Sequence, residues 1–241
     1  MSSPGAIITR NLHTVRQTIA ATARAAGRDP DEIRLIAVSK NQPRAAIEAA
    51  VGAGQRAFGE NTVQEALAKI PHFTGRGLEW HFIGHLQSNK ARFVPGNFSW
   101  LHALDSLKLA QRLARLAQER STVVNTLIEV NVARDPRKHG VAPEALLPLL
   151  EQLLREDLSG IALRGLMAIG PHPAAEPELR AAFAAVRKLR DDCRRRFGAQ
   201  DFTELSMGMS GDYIAAIMEG ATMVRVGTAI FGGRDHARPQ A

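Results

Sequence analysis

The chain has 241 residues, long for one ordinary domain but the usual size of a single α/β barrel. Hydrophobic residues make up 45% and charged residues 23%, which excludes a disordered majority, and no apolar run reaches membrane-spanning length. The net charge of +7 is scattered over many predicted helices, and one tyrosine with two tryptophans offers little for base stacking, so no nucleic-acid or membrane partner is expected.

Residues 7–26 carry Ile8, Leu12, Val15, Ile19 and Ala23 on one helical stripe, beside Arg10, Arg16 and Arg24 and no acid. A transit peptide looks superficially similar, but no cleavage context or apolar signal core follows. The stripe reads as an amphipathic helix that packs on the first strand or closes the bottom of the fold, in a cytoplasmic protein. Cys193 is the only cysteine, so no internal disulfide is possible. It falls in the helical series Leu179, Phe183, Val186, Leu189, Cys193, Phe197 and is expected in a core. The nearby Arg194–Arg196 run has Asp191 and Asp192 at pairing distance, which describes a solvated face.

From residue 33 onward, β-type runs at 33–39, 56–60, 79–84, 100–104, 125–131, 162–168, 202–206 and 223–227 alternate with amphipathic stretches at 43–53, 62–69, 87–93, 106–119, 143–155, 176–197 and 210–219. Eight strands with helical crossovers predict one (β/α)8 TIM barrel spanning 1–241, with a doubly wound open sheet as the competing architecture. Gly52 and Gly54 resemble part of a dinucleotide fingerprint but precede a strand rather than follow one, so they read as a helix end and turn.

A barrel places its working groups at the carboxyl ends of its strands. Here those ends read Lys40; Glu60 and Asn61; Gly84 and His85; Asp105; Glu129 and Asn131; Met167; Ser206; and Arg225 with Gly227 and Thr228. Asp105, Asn61 and Thr62 have helix capping as an alternative role. Lys40 ends the apolar run from Leu35. As a lone lysine it would most simply snorkel to the rim, whereas a neutral amine there can attack an aldehyde to form a Schiff base.

The last two loops are more specific: Ser206-Met207-Gly208-Met209-Ser210-Gly211-Asp212 opens a helix, and Arg225-Val226-Gly227-Thr228 follows. Glycines that allow close backbone approach, hydroxyls beside them and an arginine on the strand point to a phosphate site. His81 and His85 on a strand stand roughly 13 Å apart, too far to share a metal ion. The turn-rich segment 135–140 is either a solvated loop or a cover over the site.

These motifs together resemble the pyridoxal 5′-phosphate homeostasis proteins, whose barrel is similar to the N-terminal domain of alanine racemase. The resemblance runs over nearly the whole chain, through Ala37–Lys40, Phe58–Asn61 with Gln64 and Glu65, Trp80–Gln87 with Asn89 and Lys90, Gly165–Met167, Leu205–Ser210 with Asp212, and Val224–Thr228 through Gly232. It implies a fold type III pyridoxal phosphate (PLP) site with Lys40 as the Schiff-base lysine. Ser206, Met209, Ser210, Gly227 and Thr228 would lie around the phosphate loops, Arg225 near the ring nitrogen, and Asn61, His85 and Met167 along the pocket. Thr62 stands where the family often has a tyrosine, and Pro136 and Arg137 alter the loop between an acid, Asp135, and Lys138.

An arginine at the ring nitrogen weakens PLP as an electron sink. Racemisation needs a base on each face, and the only tyrosine, Tyr213, falls in a helix after the phosphate loop. The expectation is therefore a monomeric carrier that buffers or protects PLP or delivers it to apo-enzymes. A fold type III racemase or related amino-acid enzyme is the alternative, and a cofactor-free Schiff-base aldolase a third.

Overall fold

In the computed structural model, which describes residues 3–233, eight strands run parallel: β1 (Arg34–Val38), β2 (Ala57–Glu60), β3 (Glu79–Phe82), β4 (Trp100–Leu104), β5 (Val124–Val130), β6 (Ile161–Ala168), β7 (Glu204–Ser206) and β8 (Met223–Val226). They pair in chain order, and β8 returns to β1 through Ile36↔Arg225 and Ala37↔Val226, closing a barrel where an open sheet would have left two edges. The expected domain 1–241 includes residues 1–2 and 234–241, which lie outside the described residues.

The first helix, α1 (Pro4–Ala25), starts where the Ser3 side chain accepts a bond from the Ala6 N–H and Pro4 supplies a helix-ready φ. Its stripe Ile8, Leu12, Val15, Ile19 and Ala23 is buried as the periodicity requires. The partners are α2 (Arg44–Gly52), α7 (Tyr213–Met218) and α8 (Thr228–Phe231), so α1 covers the helical layer outside the β8–β1 closure rather than packing directly on the first strand.

Between these elements lie α3 (Val63–Lys69), α4 (Leu107–Gln118), α5 (Leu146–Leu154) and α6 (Glu176–Phe197). The stretch after β3 is a 3-10 run, Ser88–Phe93, and the expected helix 143–155 begins as another, Pro143–Ala145. The helix expected from residue 210 starts only at Tyr213, because the preceding residues are committed to a turn in which the Asp212 and Tyr213 N–H groups both bond the Met209 carbonyl. That turn needs Gly208 at φ +93°, where a Cβ would also meet the Ala216 Cβ at 2.6 Å.

Two apolar layers result. The larger fills the space between sheet and helices and takes in Phe183, Val186 and Cys193 from α6. The smaller joins Ile36, Ala57, Trp100, Leu127, Met167 and Met223, one from each of six strands, and plugs the barrel interior. Burial pushes the Cys193 thiol up to about 11, which removes the thiolate from neutral solution.

Because Leu12 is fully buried in the layer that covers the closure, Leu12→Ala is expected to lower the unfolding free energy by about 2–5 kcal/mol. Urea unfolding of the apo-protein checks this, and a loss below about 1 kcal/mol would remove α1 from the structural core.

Candidate functional site

At the carboxyl ends of the strands a cavity of about 470 Å³ opens, within the range of small-molecule sites. Its walls come from Val38 and Lys40 beyond β1, Asn61 beyond β2, Ile83, Gly84 and His85 beyond β3, Glu129 of β5, Arg137–His139, Ile169, Met209 and Ser210, and Arg225, Gly227 and Thr228. A larger cavity of about 590 Å³, lined by Arg16, Arg34, Arg56 and Glu79 among others, lies at the opposite mouth. The carboxyl-end cavity is the candidate despite its smaller volume, because it unites a lysine with converging donors.

The position of Lys40 follows from its neighbours. Ser39 is buried, its N–H bonds the Gly59 carbonyl at 3.0 Å, and its hydroxyl donates to Glu60 Oε1 at 2.6 Å. Lys69 Nζ reaches the Ser39 carbonyl at 2.7 Å and Glu60 Oε1 at 2.9 Å, and also bonds Glu65 Oε1, which accepts the Asn41 N–H. The backbone is thus tied down on both sides of Lys40 while its own side chain lines the cavity. Burial raises the Glu60 carboxyl above its ordinary range, against the pull of Ser39 and Lys69.

Across the cavity, Ser210 Oγ accepts the N–H groups of Gly227 at 3.2 Å and Ala229 at 3.3 Å. A hydroxyl that accepts twice has its own hydrogen left to donate, so Ser210 is fitted to meet an anion. Arg225 is 4% exposed. Its Nη1 donates to the Ser206 carbonyl and hydroxyl, both at 2.7 Å, and Nη2 to the Ala168 carbonyl at 3.0 Å. Burial lowers its guanidinium to about 10. Glu129 is also buried and is pushed up to about 7 by that burial, with Arg225 opposing and Asp105 adding to the rise.

Segment 135–140 folds over this mouth. Asn131 Nδ2 bonds the Asp135 carbonyl at 2.7 Å, Lys138 Nζ reaches across to the Gly170 carbonyl at 2.9 Å, and the His139 ring stacks on His85 with centroids 3.7 Å apart. Of the two readings of this loop, the structure supports the cover.

Eight of the ten expected residues line the cavity, namely Lys40, Asn61, His85, Met209, Ser210, Arg225, Gly227 and Thr228. Two are corrected. Met167 is buried in the interior apolar plug, and the residue two positions later, Ile169, takes the wall. Ser206 is fully buried with its hydroxyl bonded to Arg225 and to His102 Nδ1 at 2.9 Å, so it supports the floor instead of facing the phosphate loops. Both sit one inward step below the mouth.

Asp105 does not cap α4: Ser106 does, accepting the Leu109 N–H at 3.4 Å, while Asp105 stands 3.8 Å from His85. Thr62 occupies the N-cap of α3 without a side-chain bond. Gly84 passes so close to Asn61 that a Cβ would lie 2.3 Å from the Asn61 carbonyl oxygen, which explains a glycine at this wall. His102 was missed, although its place two residues after Trp100 in β4 puts it on the inward side.

The donor set fits a phosphorylated aldehyde: a lysine amine on one side, hydroxyl and backbone donors on the other, and a buried guanidinium below. A cofactor-free lysine enzyme would leave the Ser210–Gly227 arrangement without a role.

Comparison with known proteins places the chain in a family. The family model described as alanine racemase, N-terminal domain, matches residues 10–235. The pyridoxal phosphate homeostasis protein of Pseudomonas aeruginosa is 46% identical over 233 residues, covering 96% of this chain and 98% of that one. The protein of the same name from Escherichia coli K12 is 45% identical over 237 residues, with coverage of 96% and 98%. PipY of Synechococcus elongatus, solved with PLP bound, superposes with a TM-score of 0.82 at 41% identity over 93% of this chain and all of that one. Alanine racemase of Clostridium difficile shares the fold at a TM-score of 0.71 and 14% identity, over 95% of this chain and 58% of that one.

The Glu129 carboxyl sets a pH dependence. Between its unfolded value near 4.5 and the folded value of about 7, the folded state holds the extra proton, so raising the pH through this window costs stability. In the apo-protein Glu129→Gln is expected to be increasingly stabilising relative to wild type from pH 5 to pH 8, by up to about 3 kcal/mol. Paired urea titrations at both pH values check it, and a difference that does not grow with pH would contradict the placement of a buried, unpaired carboxyl there.

Proposed function

This chain belongs to the alanine racemase N-terminal-domain family and groups within it with the pyridoxal phosphate homeostasis proteins, and from that premise we propose that it binds PLP at Lys40 and holds it for intracellular supply. When bound, PLP supplies an aldehyde that a lysine amine captures reversibly as a Schiff base. The observation that carries the reading is one cavity containing Lys40, the Ser210, Gly227 and Thr228 loop ends, and the Arg225 floor.

Each residue has a task in this reading. The tie-down through Ser39, Glu60 and Lys69 aims Lys40 at the cavity. Ser210 and the start of α8 would hold the phosphate, with Met209 beside them and Asn61 lining the pocket. Arg225, a hydrogen-bond donor only, would hold the ring nitrogen of the cofactor as an acceptor and so disfavour its protonation. His85, stacked on His139, and Lys138, anchored on Gly170, shield the cofactor from water.

Relatives in this group are named for homeostasis of the cofactor and not for a reaction. Tyr213 is buried in α7 and does not reach the cavity wall, so a second base of that type is not supplied to a substrate. We read the protein as a carrier with no efficient amino-acid turnover, acting as a cytoplasmic monomer, with PLP-dependent apo-enzymes as recipients. Among the described residues no helix is long and apolar enough to cross a membrane.

Incubation with PLP is expected to give a visible absorption band in the wild type that is absent in Lys40→Ala, with borohydride fixing the label on the peptide that contains Lys40. A wild type that shows no band would remove the central claim. The carrier reading is tested by chirality and product analysis with single amino acids; turnover at ordinary enzyme rates, above about 1 per second, would replace it with the racemase reading.

A further inference from the structure

Below the cavity floor, five side chains form an unbroken line through the barrel interior. Arg225 Nη1 lies 2.7 Å from Ser206 Oγ, Ser206 Oγ 2.9 Å from His102 Nδ1, His102 Nε2 2.9 Å from His81 Nδ1, and His81 Nε2 2.7 Å from Glu79 Oε1. Ser206, His102 and His81 are fully buried. Glu79 is the only partly exposed member; it meets Arg34 at 3.3 Å and lines the 590 Å³ cavity at the opposite mouth. The line therefore joins the two ends of the barrel.

The direction of every bond follows from its lower end. A carboxylate only accepts, so His81 donates from Nε2. Burial keeps both imidazoles neutral, so His81 accepts at Nδ1, which obliges His102 to donate from Nε2 and to accept at Nδ1. The hydrogen of Ser206 is then committed to His102, and its lone pairs are left for Arg225. Reversing any one bond would set two acceptors against each other at Glu79. His81 is held for this task by stacking on Trp100, with centroids 5.7 Å apart and planes 10° from parallel.

We propose that Glu79, His81 and His102 are positioning residues for Arg225: a one-way hydrogen-bonded chain, set from the far mouth, orients the Ser206 hydroxyl and holds the guanidinium in its cofactor-facing pose. A hydroxyl that donates to His102 is a stronger acceptor for Arg225, so the chain polarises as well as orients. The inference rests on the reading of the upper cavity as a PLP site for its consequence, though not for the chain's polarity.

Two measurements on the full chain test it. In the apo-protein, nitrogen-15 spectra of the imidazoles are expected to show His81 and His102 each as a single Nε2–H tautomer. Glu79→Gln, whose amide can donate as well as accept, should shift the His102 signals and not only those of His81. In the loaded protein, Glu79→Gln and His81→Phe, which keeps a ring against Trp100, should each move the visible PLP band and weaken affinity by about 2- to 30-fold. Their double variant should lose no more than the worse single one, as members of one chain do. The control Thr126→Val, at another buried polar position in the barrel, should leave band and affinity unchanged. A His102 ring protonated at Nδ1, or indifferent to Glu79→Gln, overturns the polarity. An unchanged band and affinity in both chain variants overturns the link to Arg225. A wild type without any visible band overturns the PLP reading instead, and the tautomer measurement still decides the polarity.

Discussion

Closure of the sheet is the constraint from which everything else follows. Once β8 pairs with β1 through Ile36↔Arg225, each strand has an inside that cannot be shared with water or helices, and the two-residue period of a strand assigns every second side chain to it. On β8 the inward residues are Met223 and Arg225, with Gly227 beyond; on β1, Ile36 and Val38, with Lys40 beyond. An apolar residue at the lower step and a polar one above it is the pattern that makes a sealed floor under a reactive mouth. Met223 and Ile36 belong to the interior plug, and Arg225 and Lys40 to the cavity above.

Sealing the interior creates an electrostatic problem that the side chains resolve locally. A buried ion pair costs desolvation on both partners and is worthwhile only when its remaining bonds are satisfied. Lys69 meets that demand with three acceptors, the Ser39 carbonyl, Glu60 and Glu65. The network therefore serves less as glue than as a jig: its geometry fixes the peptide that carries Lys40, and the side chain of Lys40 is left out of it to line the cavity. Arg225 follows the same logic, since its backbone and Ser206 acceptors replace the water that burial removed.

Much of this was legible in the sequence because it rests on periodicity. The eight strands, the α1 stripe and the burial of Cys193 each follow from a repeat of 2 or 3.6 residues, and the structure shifts their ends by only one or two residues in most cases. Depth along a strand was not legible. Met167 and Ser206 are register partners across β6 and β7, and both point into the barrel beneath the cavity, Met167 in the interior plug and Ser206 against Arg225 and His102. His102 carried no motif of its own, and its role appears only when β3, β4 and β7 are brought together. The cover formed by 135–140 was legible only as one of two readings, since its contacts with Gly170 and His85 are made across the mouth and not along the chain.

The charge around the cavity suits it to hold a phosphorylated ligand. Lys40, Arg137, Lys138 and Arg225 face it, with Glu129 as the only carboxylate on its wall among the described residues. A phosphorylated ligand is drawn in by that excess, and the buried position of Arg225 makes its share of the attraction little screened by salt. The same burial that raises Glu129 to about 7 keeps it from cancelling the field at neutral pH or below. Attraction of this kind is shared by a bound ligand before and after any covalent link to Lys40, so it favours residence without favouring a transition state. The cover over that site is held by the Asn131 side chain on the Asp135 and Lys138 carbonyls, by the Lys138–Gly170 bond and by the His139–His85 stack, all of them separate from the sealed floor beneath.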